Sequence, residues 1–198
     1  MKNELKPTLW RTARALANSG RLNLMLLVAN ANGAKDVTEL AAEANLSVSA
    51  TSIYLRALNA RGLISVVRSG SYVYYGTGSD RSLPVAVAIQ GAFRRLFAKK
   101  NLPPNWVDLL LPVLNAYSHQ RRVAMIRILS ANTKITFAQF LKSSGFCETS
   151  FLRHLKVLTK AGIVICDPNG FYCLAKPQNP LEAIFLAASN EHALPPHF

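Results

Sequence analysis

The sequence predicts a mainly α-helical fold with small β-hairpins, built from two copies of one unit. Residues 136–143 have the pattern of a short helix, and residues 143–173 continue with a turn, a longer helix and a hairpin. The same pattern occurs one hundred positions earlier, where Gly62 occupies the place of Gly162. A repeat of this length indicates two domains, which we predict at residues 1–100 and 101–198.

The longer helix within residues 143–173 has one apolar face and one polar face. Phe151, Leu155 and Leu158 recur at the spacing of helical turns and predict a buried stripe. Gly162 is predicted to end the helix, because glycine readily takes a positive φ. A β-branched run and a Pro-Asn-Gly turn follow, so we expect a hairpin behind the helix.

The first copy has the same parts. We predict Thr38 as the N-cap of its short helix and Ser47 as the N-cap of its longer helix, since hydroxyl oxygens accept from helix N–H groups. Its hairpin is predicted at residues 63–75. Upstream of the motif, residues 21–25 align with residues 121–125 at the same spacing of one hundred.

Further helices flank the two motifs and carry apolar faces that one small domain does not need. They are predicted at residues 8–17, 21–30, 84–99, 106–117 and 181–189. Consecutive prolines forbid helix, so residues 101–105 are the predicted linker. Because both halves keep unsatisfied apolar faces, we expect the flanking helices to pair inside one chain as an intramolecular pseudo-dimer.

The composition favours a polyanionic partner. The chain has 23 Lys and Arg against 10 Asp and Glu, a net charge of +13. A generally basic protein without such a partner is the alternative. An odd number of cysteines and the lack of a signal-type apolar stretch predict a cytoplasmic protein without a disulfide framework. The apolar runs are too short to cross a membrane, so no membrane partner is expected.

Two segments resemble the winged helix-turn-helix of the ArsR-type bacterial repressors. The first reads ANSGRLNLMLLVANA…VTELAAEANLSVSATSIYLRALNARGLI and the second YSHQRRVAMIRILSAN…FLKSSGFCETSFLRHLKVLTKAGIV. The likeness covers about residues 8–76 and 113–175, and FLRHLKVLTKAGIV is its most typical stretch. The resemblance implies binding to double-stranded DNA, transcriptional repression and a two-fold dimer.

The candidate DNA-contacting residues lie on the longer helix of each motif and on the first wing. They are Ser47, Ser49, Ser52, Ile53 and Arg56 in the first helix, Arg68 at the first wing tip, and Thr149, Ser150, Arg153, His154, Lys156 and Lys160 in the second helix. A merely solvated face is the alternative for the charged residues. Ile53 suits a thymine methyl or a buried partner contact, and His154 lies beside the buried stripe, where packing or a phosphate contact is favoured over base reading.

Metal sensing and catalysis are not predicted. The three cysteines, Cys147, Cys166 and Cys173, lack the Cys-x-Cys spacing of a thiolate metal sensor and suit small hydrophobic positions. The sequence contains no phosphate-binding Gly-rich loop, H-E-x-x-H or G-x-S-x-G pattern. We therefore expect no metal, no cofactor and no enzymatic activity.

These observations favour a sequence-specific transcriptional regulator that binds double-stranded DNA and acts as a repressor. Tandem winged helices also occur in architectural and replication or segregation factors, which is the first alternative. A protein–protein adaptor is the second, because the face of the first longer helix carries little charge. A further homodimer of the pseudo-dimer is left open.

Overall fold

A computed structural model describes residues 8–78, 84–97 and 103–191. The end of the predicted 84–99 helix and the start of the predicted 101–105 linker lie outside these residues. Within the described ranges the chain is mainly helical with small antiparallel sheets, as the sequence predicts.

The two halves have the same order of elements. The first half contains α1 (Leu9–Leu16), α2 (Ser19–Asn30), β1 (Lys35–Asp36), α3 (Val37–Ala44), α4 (Val48–Asn59), β2 (Ser65–Ser69), β3 (Tyr72–Gly76) and α5 (Pro84–Phe97). The second half contains α6 (Trp106–Tyr117), α7 (Gln120–Ala131), β4 (Ile135–Thr136), α8 (Phe137–Ser144), α9 (Glu148–Lys160), β5 (Val164–Cys166), β6 (Phe171–Leu174) and α10 (Pro180–Glu191).

Each half contains an antiparallel sheet with its hairpin at one side. The strand orders are β1-β3-β2 and β4-β6-β5. The predicted hairpins are confirmed, with Val67 opposite Tyr74 in the first and Ile165 opposite Cys173 in the second. The sequence analysis missed β1 and β4, which are two residues long and too short for an alternating pattern to show.

The turns of the two motifs use the left-handed backbone region at matching positions. Asn45 ends α3 with a φ of 53°, and Gly145 ends α8 with a φ of 66°. Gly62 and Gly162 follow α4 and α9 with φ values of 65° and 72°, which confirms the predicted glycine stop. The turns at Asn45 and Gly145 set the angle between the short and long helices of each motif.

One predicted cap is confirmed and one is wrong. Ser47 caps α4, its hydroxyl accepting from the Ala50 N–H at 3.2 Å. The N-cap of α3 is Asp36 rather than Thr38, because the Asp36 carboxylate accepts from the N–H groups of Thr38 and Glu39. Asp36 sits at the end of β1, a strand that the sequence analysis did not predict, so the helix start was placed two residues late.

The spacing of the two halves is not constant along the chain. The motifs themselves are 100 positions apart, but the last residues of α1 and α6, Leu16 and Tyr117, are 101 apart. The alignment of residues 21–25 with residues 121–125 is therefore wrong by one. The buried positions of the two helices show the correct spacing of 101. They are Leu22, Leu24, Met25 and Val28 in α2 and Val123, Met125, Ile126 and Leu129 in α7.

The flanking helices pack against each other across the two halves. α5 packs against α10, and α1 packs against α6. Phe93 of α5 and Phe185 of α10 are fully buried, and the Phe185 ring lies 5.2 Å from that of Tyr117 in α6. The Arg127 side chain of α7 donates to the Ser189 carbonyl at the end of α10. One continuous core thus joins the two halves.

Candidate nucleic-acid interface

The long helix of each motif is fixed to the core through its inner face. Leu55 and Leu58 of α4 are fully buried. In α9 the predicted stripe of Phe151, Leu155 and Leu158 is buried as expected. The ring of Phe151 meets Phe140 of α8 edge-on at 4.9 Å, which locks the short helix of the second motif against the long one. A rigid scaffold of this kind holds the outer face of the helix in a defined position.

The outer face of α9 carries unpaired positive charge. Thr149, Arg153, Lys156 and Lys160 are all exposed. Within the part of the chain that the structure describes, the ion pairs are Lys35–Glu43 and Lys134–Asp167, so the three cations of this face form no ion pair. Such a face offers donors to base edges and phosphates.

Ser150 and His154 are corrections to the predicted DNA-contacting set. Both are buried, with exposed fractions of 6% and 5%. The Ser150 hydroxyl accepts from the Arg121 Nη1 of α7 at 2.7 Å. The His154 ring lies 4.6 Å from the ring of His119, the N-cap of α7. Both side chains point to the α7 side of α9, because the positions i and i+4 share one helical face.

The buried imidazole of His154 stays neutral at ordinary pH. Burial first, and then the neighbouring His119, Arg122 and Arg153, lower the pKa of His154 to about 4. Neither ring nitrogen has a hydrogen-bond partner among the described residues. Of the two roles favoured for His154, packing and a phosphate contact, its burial therefore agrees with packing.

The outer face of α4 has a different character. Ser49 and Arg56 are exposed, Ser52 is half-buried, and Ile53 is 54% exposed. The Arg56 Nε donates to the Ser52 carbonyl at 3.2 Å, which lays this guanidinium along the helix. Ser47 is exposed at the N-cap. The face therefore presents hydroxyls, one apolar side chain and one cation.

The two wing tips also differ. Arg68 is exposed near the end of β2 and has no carboxylate partner among the described residues. In the second wing, Asp167 pairs with the Lys134 ammonium at 2.6 Å and accepts from the N–H groups of Asn169 and Phe171. The hydrogen bonds from Lys134 and from the backbone hold the pKa of Asp167 below its ordinary value. The second wing tip is thus locally neutralised, and the first is not.

A concave surface beside each long helix was missed by the sequence analysis. In the first half Arg11 and Arg14 of α1 and Arg61 after α4 line a groove. In the second half Asp108, Leu111, Pro112 and Asn115 of α6 face the basic side of α9. The signal was present, since positions 108, 111, 112 and 115 share one helical face, but only the packing of α6 on α9 shows what this face meets.

The described ranges contain neither a cluster of metal-ligating side chains nor a membrane-spanning helix. No set of three or more His, Cys, Asp or Glu side chains within those ranges is grouped to hold a metal ion. None of their helices has the length and apolar character needed to cross a bilayer.

The mainly helical fold with its small antiparallel sheets fits a winged helix-turn-helix. Residues 18–66 match the family model described as bacterial regulatory protein, arsR family. This stretch of the first half is thus similar to an ArsR-type winged helix-turn-helix, which suggests a DNA-binding transcriptional regulator. None of the curated proteins compared with the chain matches it.

One solved structure is similar to the chain, that of human N-acetylserotonin methyltransferase in complex with SAM. The identity is 14% and the TM-score 0.35, and the match covers 77% of this chain and 41% of that one. The chain thus spans less than half of that enzyme's length. The sequence analysis predicted no enzymatic activity; a match to an enzyme contradicts that prediction, which is withdrawn. At this TM-score the likeness carries no argument about the reaction or ligand of the chain.

Proposed function

We propose that the protein is a sequence-specific transcriptional regulator that binds double-stranded DNA and acts as a repressor. The observation that supports this most strongly is the outer face of α9, where Thr149, Arg153 and Lys156 are exposed and form no ion pair among the described residues. A helix in the major groove offers such side chains to guanine edges and phosphates. The repressor role rests on the likeness to ArsR-type repressors.

We also propose that the chain contains two winged helix-turn-helix domains, residues 1–100 and 101–198, arranged as a pseudo-dimer. Three observations support this arrangement. The element order is the same in both halves. Left-handed turns occur at matching positions. The flanking helices pair as α5 with α10 and α1 with α6. A pseudo-dimer presents two long helices on one molecule, as a family dimer presents one from each subunit. It would also leave room for a further homodimer.

An adaptor role for the first half is the second candidate, and one observation favours it. Val48, Ile53, Val67 and Tyr72 are large apolar side chains of the first motif and its wing that are exposed. Scattered exposed apolar residues are normal, but side chains of this kind are also typical of protein contact surfaces. In this alternative the second half binds DNA and the first half binds a partner protein.

Selection of bound DNA from a random pool tests the proposed function. A regulator should enrich a defined sequence, and the affinity for that sequence should exceed that for a scrambled duplex by at least about a thousandfold at physiological salt. An architectural factor should bind both duplexes with similar affinity and a steep salt dependence. No measurable binding to either duplex at low salt would refute DNA binding and favour the adaptor.

A further inference from the structure

A cavity of about 600 Å³ lies between α6 and α9. Its apolar surface comes from Leu111 and Pro112 of α6 and Val157 of α9. Its cationic surface comes from Arg153, Lys156 and Lys160, which follow one another along α9. A volume of this size is within the range of small-molecule sites, which combine apolar walls with a few charged groups.

The charge of this cavity is unbalanced. Asp108 of α6 lines it as well, so three cations face one carboxylate. Asp108 is not within ion-pair distance of any of the three cations, and no other carboxylate of the described residues is paired with them. Cations held beside apolar surface without a partner favour an anion, because a charge-assisted hydrogen bond is stronger where water is partly excluded.

We propose that this cavity binds a small amphipathic anion, with one acidic group on an apolar body. The acidic group lies against the Arg153 guanidinium and the ammonium groups of Lys156 and Lys160. The planar fork of Arg153 suits two oxygens of one carboxylate, sulfonate or phosphate. The apolar body lies on Leu111 and Val157, where its burial adds to the affinity.

Occupation of the cavity has a consequence for DNA that rests on the proposed function. Arg153, Lys156 and Lys160 are also candidate DNA contacts. An anion that neutralises these three side chains removes the charge that DNA phosphates would meet. Ligand and DNA therefore compete, and by linkage each lowers the affinity of the other by the same factor.

Binding of anilinonaphthalene sulfonate to the full chain tests the cavity without DNA. This fluorescent probe has one sulfonate on an aromatic body, and phenylnaphthylamine is its neutral counterpart. We expect saturable binding of one sulfonate probe per chain. Lys160→Gln and Arg153→Gln should each weaken it by about tenfold, the contribution of one charged hydrogen bond. Lys142→Gln removes an exposed charge from α8 outside the cavity and should leave the affinity unchanged.

Several outcomes would overturn the site. These are no saturable binding, equal affinity for the neutral counterpart, or an effect of Lys142→Gln as large as that of Lys160→Gln. Circular dichroism checks that the variants are folded, which we expect because the substituted side chains are exposed.

A second arm tests the competition, with the probe titrated into a complex with the selected DNA. The apparent DNA affinity should fall as the probe saturates the parent protein, and the fall should be smaller in Lys160→Gln. Unchanged DNA affinity at saturating probe would overturn the competition. If the parent binds no DNA, the proposed function fails. The probe titration without DNA then still shows whether the cavity binds an anion.

Discussion

The two long helices share a scaffold and differ in their outer faces. α4 and α9 are each followed within three residues by a glycine of nearly equal φ, 65° at Gly62 and 72° at Gly162. Yet Ile53 of α4 occupies the place of Arg153 in α9, and both are exposed. The buried face and the turns determine where a helix lies, while the exposed face is free to vary. A common fold therefore leaves the chemistry of the two faces independent.

The grooves beside the two helices also place their charge on different walls. In the first half the cations Arg11 and Arg14 lie on α1, with Arg61 after α4. In the second half the cations lie on α9, opposite an α6 wall that contributes Asp108. The Arg11 guanidinium lies 5.0 Å from the Trp10 ring. Partial burial, and then the nearby charge of Arg11, lower the pKa of Arg61. The first half thus surrounds its helix with charge, whereas the second half places charge on the helix.

The largest expected effect is a loss of DNA affinity, and it shows whether α9 reads bases and α4 does not. Arg153→Ala should cost about 1–3 kcal/mol of DNA affinity and loosen sequence preference, because it removes a potential bidentate contact to a base. Ile53→Ala should cost less, since it removes at most an apolar contact. Titrations on selected and scrambled DNA measure both. If Arg153→Ala binds both duplexes like the parent, α9 is not the reader and the adaptor becomes the favoured function.

The next effect is acid destabilisation of the second half through His154. Its folded pKa of about 4 is below the ordinary 6.5, so the unfolded chain binds more protons between these values. Stability should therefore be complete above pH 6.5 and fall by about 1–3 kcal/mol as the pH falls towards 4. Urea unfolding at several pH values measures this.

Two variants identify the group responsible for that loss. His154→Leu replaces the imidazole by an apolar side chain of similar size and should flatten the pH dependence. His119→Asn keeps a capping side chain for α7, as Asn18 caps α2 in the first half, and should retain most of it. A slope that survives His154→Leu unchanged would assign the acid sensitivity to other groups.

The periodicity of the sequence was sufficient for the long helices, the hairpins and the glycine stops. Each depends on local rules, such as the spacing of Phe151, Leu155 and Leu158 or the positive φ at Gly162. It was not sufficient for the exact alignment of α2 with α7. The segment between α7 and β4 is one residue shorter than the segment between α2 and β1. A missing loop residue leaves no periodic signal in the helices that it joins.

The candidate site was less predictable than the fold. Ser150 was counted among the candidate DNA contacts, yet its contact with Arg121 buries it. The helical angle placed His154 beside the buried stripe, but it did not show that the partner there is His119. Pairing of this kind depends on the angle between α7 and α9, which no short stretch of sequence encodes. For the same reason Asn115 gave no hint that it lines one cavity together with Lys160.

A smaller effect tests the turn that the two motifs build with different residues. Gly145 has a φ of 66° with open space around its Cα, so Gly145→Ala should cost about 1–2 kcal/mol of unfolding free energy from backbone strain alone. Gly145→Asn should cost less, because Asn45 takes a φ of 53° at the matching turn and asparagine tolerates this region. Thermal or urea unfolding of the two variants decides. Equal losses for alanine and asparagine would show that the two turns are not equivalent.

The smallest effect is the change in DNA affinity on substitution at the wings. Arg68 of the first wing forms no ion pair among the described residues, whereas Asp167 of the second is paired with Lys134. Arg68→Ala should weaken binding to every sequence alike, because a phosphate contact carries no base information. Loss of one such contact should reduce the slope of log affinity against log salt by about 0.9, which is about threefold in affinity between 50 and 200 mM salt. Asn169→Ala, at the uncharged tip of the second wing, is the matched control and should leave the slope unchanged. The measurement is a titration of both variants on selected and scrambled DNA at several salt concentrations. An Arg68→Ala variant that weakens the selected sequence alone would make the first wing a reader of bases, and the two halves would then share the reading rather than divide it.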